Sequence, residues 1–252
     1  MKMIKEAMQF LLGLSVRPYE RVVDIRDKDG QTRNLVIDAE GAFRELASLD
    51  NDAKAPMMIN TLTGLVDYVK AELERKEQPL FLHVVDEENV VLRSTLLSNG
   101  ERETLVTASA IVPRFSYGRF LDTEELVIAF QSIFTKTPDR DTLLKVVGCV
   151  KEENIRETGD DGFSQAVTIK TGIASSNDVL VPNPVSLAPF RTFLEVEQPA
   201  SDFIFRMKDG PVGAIFEADG GAWRNLAITN VRDYLAKQLT KEIESKRITI
   251  IA

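Results

Sequence analysis

Cysteine and histidine are nearly missing from this sequence: its 252 residues hold one of each, Cys149 and His83. A lone cysteine cannot close an internal disulfide, and one cysteine with one histidine is too small a set for a zinc site of the usual kind. Long apolar runs are missing as well. None approaches the roughly 18 to 20 residues that a membrane-spanning helix needs. The first fifteen residues carry Lys2, Lys5 and Glu6 without a small-residue cleavage site, so neither insertion nor export is indicated. The expectation is a cytoplasmic protein. Basic charge is in the minority, with 31 Lys and Arg against 39 Asp and Glu and a net charge of −8. That balance repels a polyanion at long range and disfavours bulk binding to nucleic acid. The densest basic cluster, Lys241, Lys246 and Arg247, is broken by Glu242 and Glu244. Phosphate-loop, dinucleotide-fingerprint, nucleophile-elbow, HExxH and EF-hand patterns do not occur.

What is present is an ordinary globular balance, 44% hydrophobic and 28% charged, which argues against disorder. Helical spacing is found in Ile4, Ala7, Met8, Leu11 and Leu12, with Gly13 as a stop. Residues 21–25 and 33–37 flank Asp27-Lys28-Asp29-Gly30 as two strands of a hairpin. Residues 40–49 fit a short helix through Phe43, Leu46 and Ala47. Leu62, Leu65, Val66, Val69 and Leu73 form the stripe of a longer one. Runs at 80–85, 89–97 and 101–112 read as a meander. A helix is expected after Asp122, and another from Thr137-Pro138 that ends before Gly148. Residues 151–157 and 163–173 bracket an acidic tip around Gly159. Pro182, Pro184 and Pro189 limit 181–190 to loop or edge strand. Strands at 202–208 and 212–218 turn around Gly210. Trp223, Leu226, Ala227, Val231, Tyr234 and Leu235 mark the last helix, with Asp219 as its cap.

Arg247 to Ile251 should add to a sheet, its own or, by a slight margin, a neighbouring subunit's. The fold class is α+β: antiparallel meanders and hairpins packed with about five or six helices. Residues 1–252 read as a single unit, within which 1–77 can form an N-terminal subdomain.

Candidate chemistry is sparse. His83 sits among aliphatic residues of an expected strand and has no second histidine, which favours packing over proton transfer. Cys149 lies in an apolar run that raises rather than lowers a thiol pKa. Asp160 and Asp161 lack the ligand spacing of a calcium loop. The richest constellation is Glu217-Ala218-Asp219-Gly220-Gly221 between a strand and the last helix. With Glu195 and Glu197 alternating along a nearby strand, Glu217 and Asp219 outline a magnesium site of the kind used in phosphoryl chemistry. A capping aspartate and a glycine turn explain the same residues structurally, and that is the favoured account. No catalytic or cofactor-binding residue is therefore assigned, no cofactor is expected, and Glu217, Asp219, Glu195 and Glu197 stand as the metal candidates.

The segments Thr61-Leu62-Thr63-Gly64-Leu65-Val66-Asp67-Tyr68 and Phe190-Arg191-Thr192-Phe193-Leu194-Glu195-Val196-Glu197-Gln198-Pro199 carry a resemblance, as do Phe203 to Met207, Gly210-Pro211 and Phe216 to Trp223. Across 61–235 these blocks resemble an uncharacterised family of phage and prophage proteins, mainly of Gram-positive hosts. The resemblance implies an accessory protein acting inside an infected bacterium, and it carries over no site residue. The resulting expectation is a non-enzymatic, homo-oligomeric binding or assembly protein of the host cytoplasm. Two alternatives remain. One is an inhibitor or sponge for a host defence protein or signalling nucleotide, with Gly220-Gly221 offering amides to a phosphate. The other is a metal-dependent nuclease or phosphodiesterase.

Overall fold

The computed structural model describes residues 22–26, 32–37, 43–45, 53–72, 78–97, 100–149, 165–170, 176–181, 183–208 and 212–252. The helix expected near residues 4–12 and the acidic tip at Asp160 and Asp161 lie outside them. The chain divides into two compact units, Met1–Lys54 with Leu96–Glu101, and Ala55–Thr95 with Arg102–Ala252.

In the smaller unit, β1 (Val22–Arg26) and β2 (Thr32–Ile37) pair antiparallel, Val22 opposite Val36, as the turn chemistry between them requires. Within the stretch 40–49 expected as a helix, the described residues 43–45 are extended instead. Phe43–Glu45 is a third strand, β3, antiparallel to β2 with Phe43 opposite Ile37. So short an apolar pattern fits either period, and pairing with β2 decides it.

The larger unit is α+β and contains two principal sheets. One runs β14-β5-β6-β7-β4. In it β5 (Leu80–Val84), β6 (Asn89–Ser94) and β7 (Thr104–Ser109) pair antiparallel in sequence order. The sheet is mixed rather than wholly antiparallel, because β4 (Met57–Ile59) joins β7 in parallel and β14 (Ile248–Ile251) joins β5 in parallel. His83 stands in β5 opposite Val91 on one side and Ile251 on the other, a half-buried strand residue.

Helix α1 (Leu62–Ala71) buries Leu62, Leu65, Val66 and Val69 of the stripe read from the sequence, whose last member, Leu73, lies outside the described residues. Side chains hold both of its ends. Thr61 Oγ1 accepts from Gly64 N at 3.1 Å at the start. At the other end, Arg247 pairs with Glu72 and donates from Nη2 to the Val69 carbonyl at 3.0 Å. A cation there complements the negative end of the helix dipole.

The second sheet runs β11-β12-β13-β8. Its strands are β8 (Leu121–Asp122), β11 (Val185–Leu187), β12 (Ser201–Lys208) and β13 (Val212–Glu217). Ser201, Phe203, Phe205 and Met207 alternate inward along β12. The three prolines leave room for β11 only as an edge strand. Helix α2 (Thr123–Ser132) starts as expected, with Asp122 accepting from Glu125 N at 2.7 Å. It packs on β13 where Gly213 stands, since a Cβ there would meet Leu126 Cδ1 at 2.8 Å. Helix α3 (Pro138–Cys149) lies beside α2 and β11, and it continues through Gly148 instead of ending before it. Buried Val146 and Val147 in its last turns offset the glycine's entropic cost. Phe130, Phe134, Leu143, Phe203 and Phe205 fill the core between these elements. The Cys149 side chain lies outside the described residues.

A separate pair, β9 (Gln165–Lys170) and β10 (Ser176–Val181), is antiparallel with Lys170 opposite Ser176. The first arm expected for the Gly159 hairpin lies outside the described residues, and β9 is seen paired with β10. Helix α4 (Trp223–Gln238) packs against α1, β5 and β14, and the short α5 (Thr240–Glu244) follows it. The described residues thus hold five helices, none of them long and apolar enough to cross a membrane.

The slight preference for placing the last strand in a neighbouring subunit is corrected, because β14 completes its own chain's sheet with Ile248 opposite Leu80. Ile248 is 1% exposed and Ile251 46%. Ile248→Ala should therefore cost about 2–5 kcal/mol in urea titrations, whereas Ile251→Ala should cost under about 1 kcal/mol. Equal, small losses at both positions would contradict the pairing of β14 with β5.

Candidate functional site

The chain passes from β13 to α4 through Ala218 to Ala222, where Gly220 and Gly221 take φ of +62° and +84°. Side chains with a Cβ rarely adopt such angles, which is why two glycines stand here. Asp219 fixes the turn. Its Oδ1 accepts from Gly221 N at 3.1 Å and its Oδ2 from Trp223 N at 3.2 Å. The expected capping role thus takes a wider form, since Ala222 is the residue immediately before the helix and makes no side-chain cap. The Gly221 amide is engaged by Asp219, so it is not directed at a phosphate.

The other metal candidates are used elsewhere. Residues 191–200 form no strand, contrary to the alternation read for Glu195 and Glu197; a turn brings Val196 N to Phe193 O at 3.4 Å. The buried carboxamide of Gln198 organises this loop. Its Oε1 accepts from Arg191 N at 2.9 Å and Thr192 N at 3.3 Å, while Nε2 donates to Phe193 O at 3.0 Å and Val196 O at 3.3 Å. Glu195 Oε1 accepts from Thr63 N at 3.1 Å. Helix α1 has no acid in its own first turn, so Glu195 supplies the negative charge that end favours. Glu197 is exposed, and its carbonyl accepts from Asn230 Nδ2 at 3.0 Å. Among the described residues no group of three or more His, Cys, Asp or Glu could hold a metal ion.

Glu217 faces a residue that sequence reasoning passed over. Arg191 is 7% exposed, and its Nη1 lies 3.6 Å from Glu217 Oε1. The guanidinium carbon stands 3.9 Å from the Trp223 ring centroid and 5.7 Å from that of Phe203. Its Nη2 donates to the Pro199 carbonyl at 3.0 Å and to Ser201 Oγ. Burial pushes the Arg191 pKa below its usual value. Tyr117, Asp219 and Glu217 oppose that shift, and Arg224 adds to it. Tyr117 stacks on Phe203 with centroids 5.5 Å apart. Burial pushes its hydroxyl up to about 12, with Arg191 opposing and Glu217 adding. Trp223 is 7% exposed, as the stripe of α4 implies, and carries Arg224 at 4.8 Å from its ring centroid.

These groups border a cleft of about 790 Å³, whose apolar side includes Pro113, Phe115 and Phe190. A lone arginine between Phe190 and Thr192 gives no motif. The aromatic residues flanking the 191–192 pair are the one local sign that its charge would be buried. Compared with protein-family models, curated proteins and solved structures, the chain matches none.

Truncating Trp223 removes the indole from both arginines and from the core. Trp223→Ala should lower stability by roughly 3–5 kcal/mol in urea, and a loss under about 1 kcal/mol would contradict its packed position. Tyr117 gives a test by pH. Its folded pKa lies above the ordinary value of 10.0, so the folded state keeps a proton that the unfolded state loses. The associated stability is intact below pH 10 and is lost as pH rises through about 12. In an absorbance titration, one of the four tyrosines should ionise near 12, and Tyr117→Phe should remove that step. Four ordinary ionisations would contradict its burial beside Phe203.

Proposed function

We propose that this chain is a non-catalytic binding protein, a phage accessory component that acts as a homo-oligomer in the host cytoplasm. One observation carries the non-catalytic part: the carboxylates that best suggest chemistry serve structural partners. Asp219 holds two amides at the start of α4, Glu195 caps α1, and Glu217 faces the buried Arg191. A catalytic acid or base needs reach to a substrate proton as well as a tuned pKa. Phage context rests on the resemblance across 61–235, and cytoplasmic placement on the low cysteine content and acidic charge.

Oligomerisation is supported by β4, an edge strand of the five-stranded sheet with Met57 and Met58 exposed. Open edges carrying apolar side chains favour pairing with another chain. A capture role, as an inhibitor or sponge of a host defence component or signalling nucleotide, is the second reading. It is favoured by the arginine-bearing cleft beside Trp223.

Purified protein should leave DNA, RNA and cyclic nucleotides intact in magnesium or manganese. Cleavage by the parent that disappears in the Glu217→Gln, Asp219→Asn double variant would establish the nuclease or phosphodiesterase alternative instead. Light scattering after chromatography should give a mass above the 28.1 kDa of one chain, reduced by Met58→Asp. A monomeric parent protein would remove the oligomeric part of the reading.

A further inference from the structure

Three arginines and three glutamates border the cleft, and they are unequally matched. Arg224 Nε donates to Glu87 Oε1 at 2.9 Å, a charge-assisted distance. Glu88 is held above the usual carboxylate range by burial, Glu87 and Asp86, with Arg114 opposing. Arg191 has Glu217 at 3.6 Å, beyond the usual 2.7–2.9 Å of such bonds. Its Nε and Nη1, together with Trp223 Nε1, are shielded from solvent and have no acceptor at hydrogen-bonding distance.

All three of these atoms are donors. Arg191 and Trp223 both line the cleft and the guanidinium stacks on the indole, so the three donors lie near one another at its wall. A buried donor without an acceptor keeps its full desolvation penalty, so this corner, with a guanidinium in it, favours a negatively charged oxygen. A cationic ligand would bring further donors to a corner that lacks acceptors. The Glu217 side chain is 37% exposed, so its carboxylate has solvent to turn into. Pro113, Phe115 and Phe190 offer an apolar surface alongside.

We propose that the cleft binds an organic oxyanion, a carboxylate or phosphate monoester on an apolar body, whose oxygens displace Glu217 from Arg191 and accept from Trp223 Nε1. This rests on the binding-protein reading above. Glu217 is then a competitor for Arg191, and removing its charge strengthens binding.

Trp223 is the single tryptophan, so its fluorescence reports on this corner directly. The full-length protein is titrated with phenylacetate, phenyl phosphate, inorganic phosphate, phenethylammonium and 2-phenylethanol. Phenylacetate or phenyl phosphate should change the emission saturably, and whichever binds more tightly identifies the preferred oxyanion. Inorganic phosphate, lacking the apolar body, should bind at least roughly tenfold more weakly.

Glu217→Gln should tighten the favoured anion by roughly three- to tenfold, and Arg224→Gln should weaken it by a similar factor. Both side chains are partly exposed, so these tests do not depend on replacing the buried Arg191. Equal or tighter binding of phenethylammonium or 2-phenylethanol would overturn the ligand class and leave the binding-protein reading standing. So would weaker anion binding in Glu217→Gln, or no saturable response to any probe at millimolar concentration. Release of phosphate from phenyl phosphate, lost in Glu217→Gln, would instead overturn the non-catalytic reading itself.

Discussion

A guanidinium buried beneath an indole must find its compensation nearby, and this requirement at Arg191 ties together the parts of the molecule that matter most. Its Nη2 bonds draw in Pro199 and Ser201, its backbone amide is held by Gln198, and its flat face rests on Trp223. Desolvating a charge is expensive unless hydrogen bonds and favourable electrostatics offset it. Stacking on an indole away from water contributes up to about 2 kcal/mol to that offset. The loop around Arg191 is therefore tied down by hydrogen bonds, although it has no regular secondary structure. Thr192 fastens it to the Glu87 carbonyl and Asn230 to the Glu197 carbonyl. Glu195 carries the same connection to the start of α1.

How much of this was legible depended on the range of the interaction. Local patterns transferred well: the α1 stripe, the Asp122 cap, the β1–β2 and β12–β13 hairpins and the burial of Trp223 all follow from neighbours within a few turns or one hairpin. Residues 43–45 misled because Phe43, Leu46 and Ala47 satisfy a helical spacing too short to distinguish from a strand, and β2 then selected the outcome. Gly148 misled because packing of α3 outweighs a local stop signal. The parallel pairing of Ile248 with Leu80 could not be read locally, since the two positions are far apart in sequence.

The candidate site shows the same division. Asp219 as a structural residue followed from its own sequence neighbourhood. Glu195 and Glu197 looked like partners for Glu217 only on the assumption of a strand, and the Gln198-centred turn removed that assumption. Arg191 belongs to no motif. Its importance arises from Tyr117, Phe203, Glu217 and Trp223, which come together only in the fold. A corner rich in unmatched donors beside an apolar wall is suited to holding a ligand, while the nearby acids already have structural work.

The account depends on Arg191 being held charged and immobile against Trp223. The direct measurement is the Arg191 Nε–H resonance, assigned in a labelled sample by its loss in Arg191→Lys. A proton near the indole face and shielded from solvent should be displaced upfield by the ring current and exchange slowly with water. A resonance at the position of a free arginine, exchanging as fast as an exposed one, would contradict the buried cation on which the site and its proposed ligand both depend.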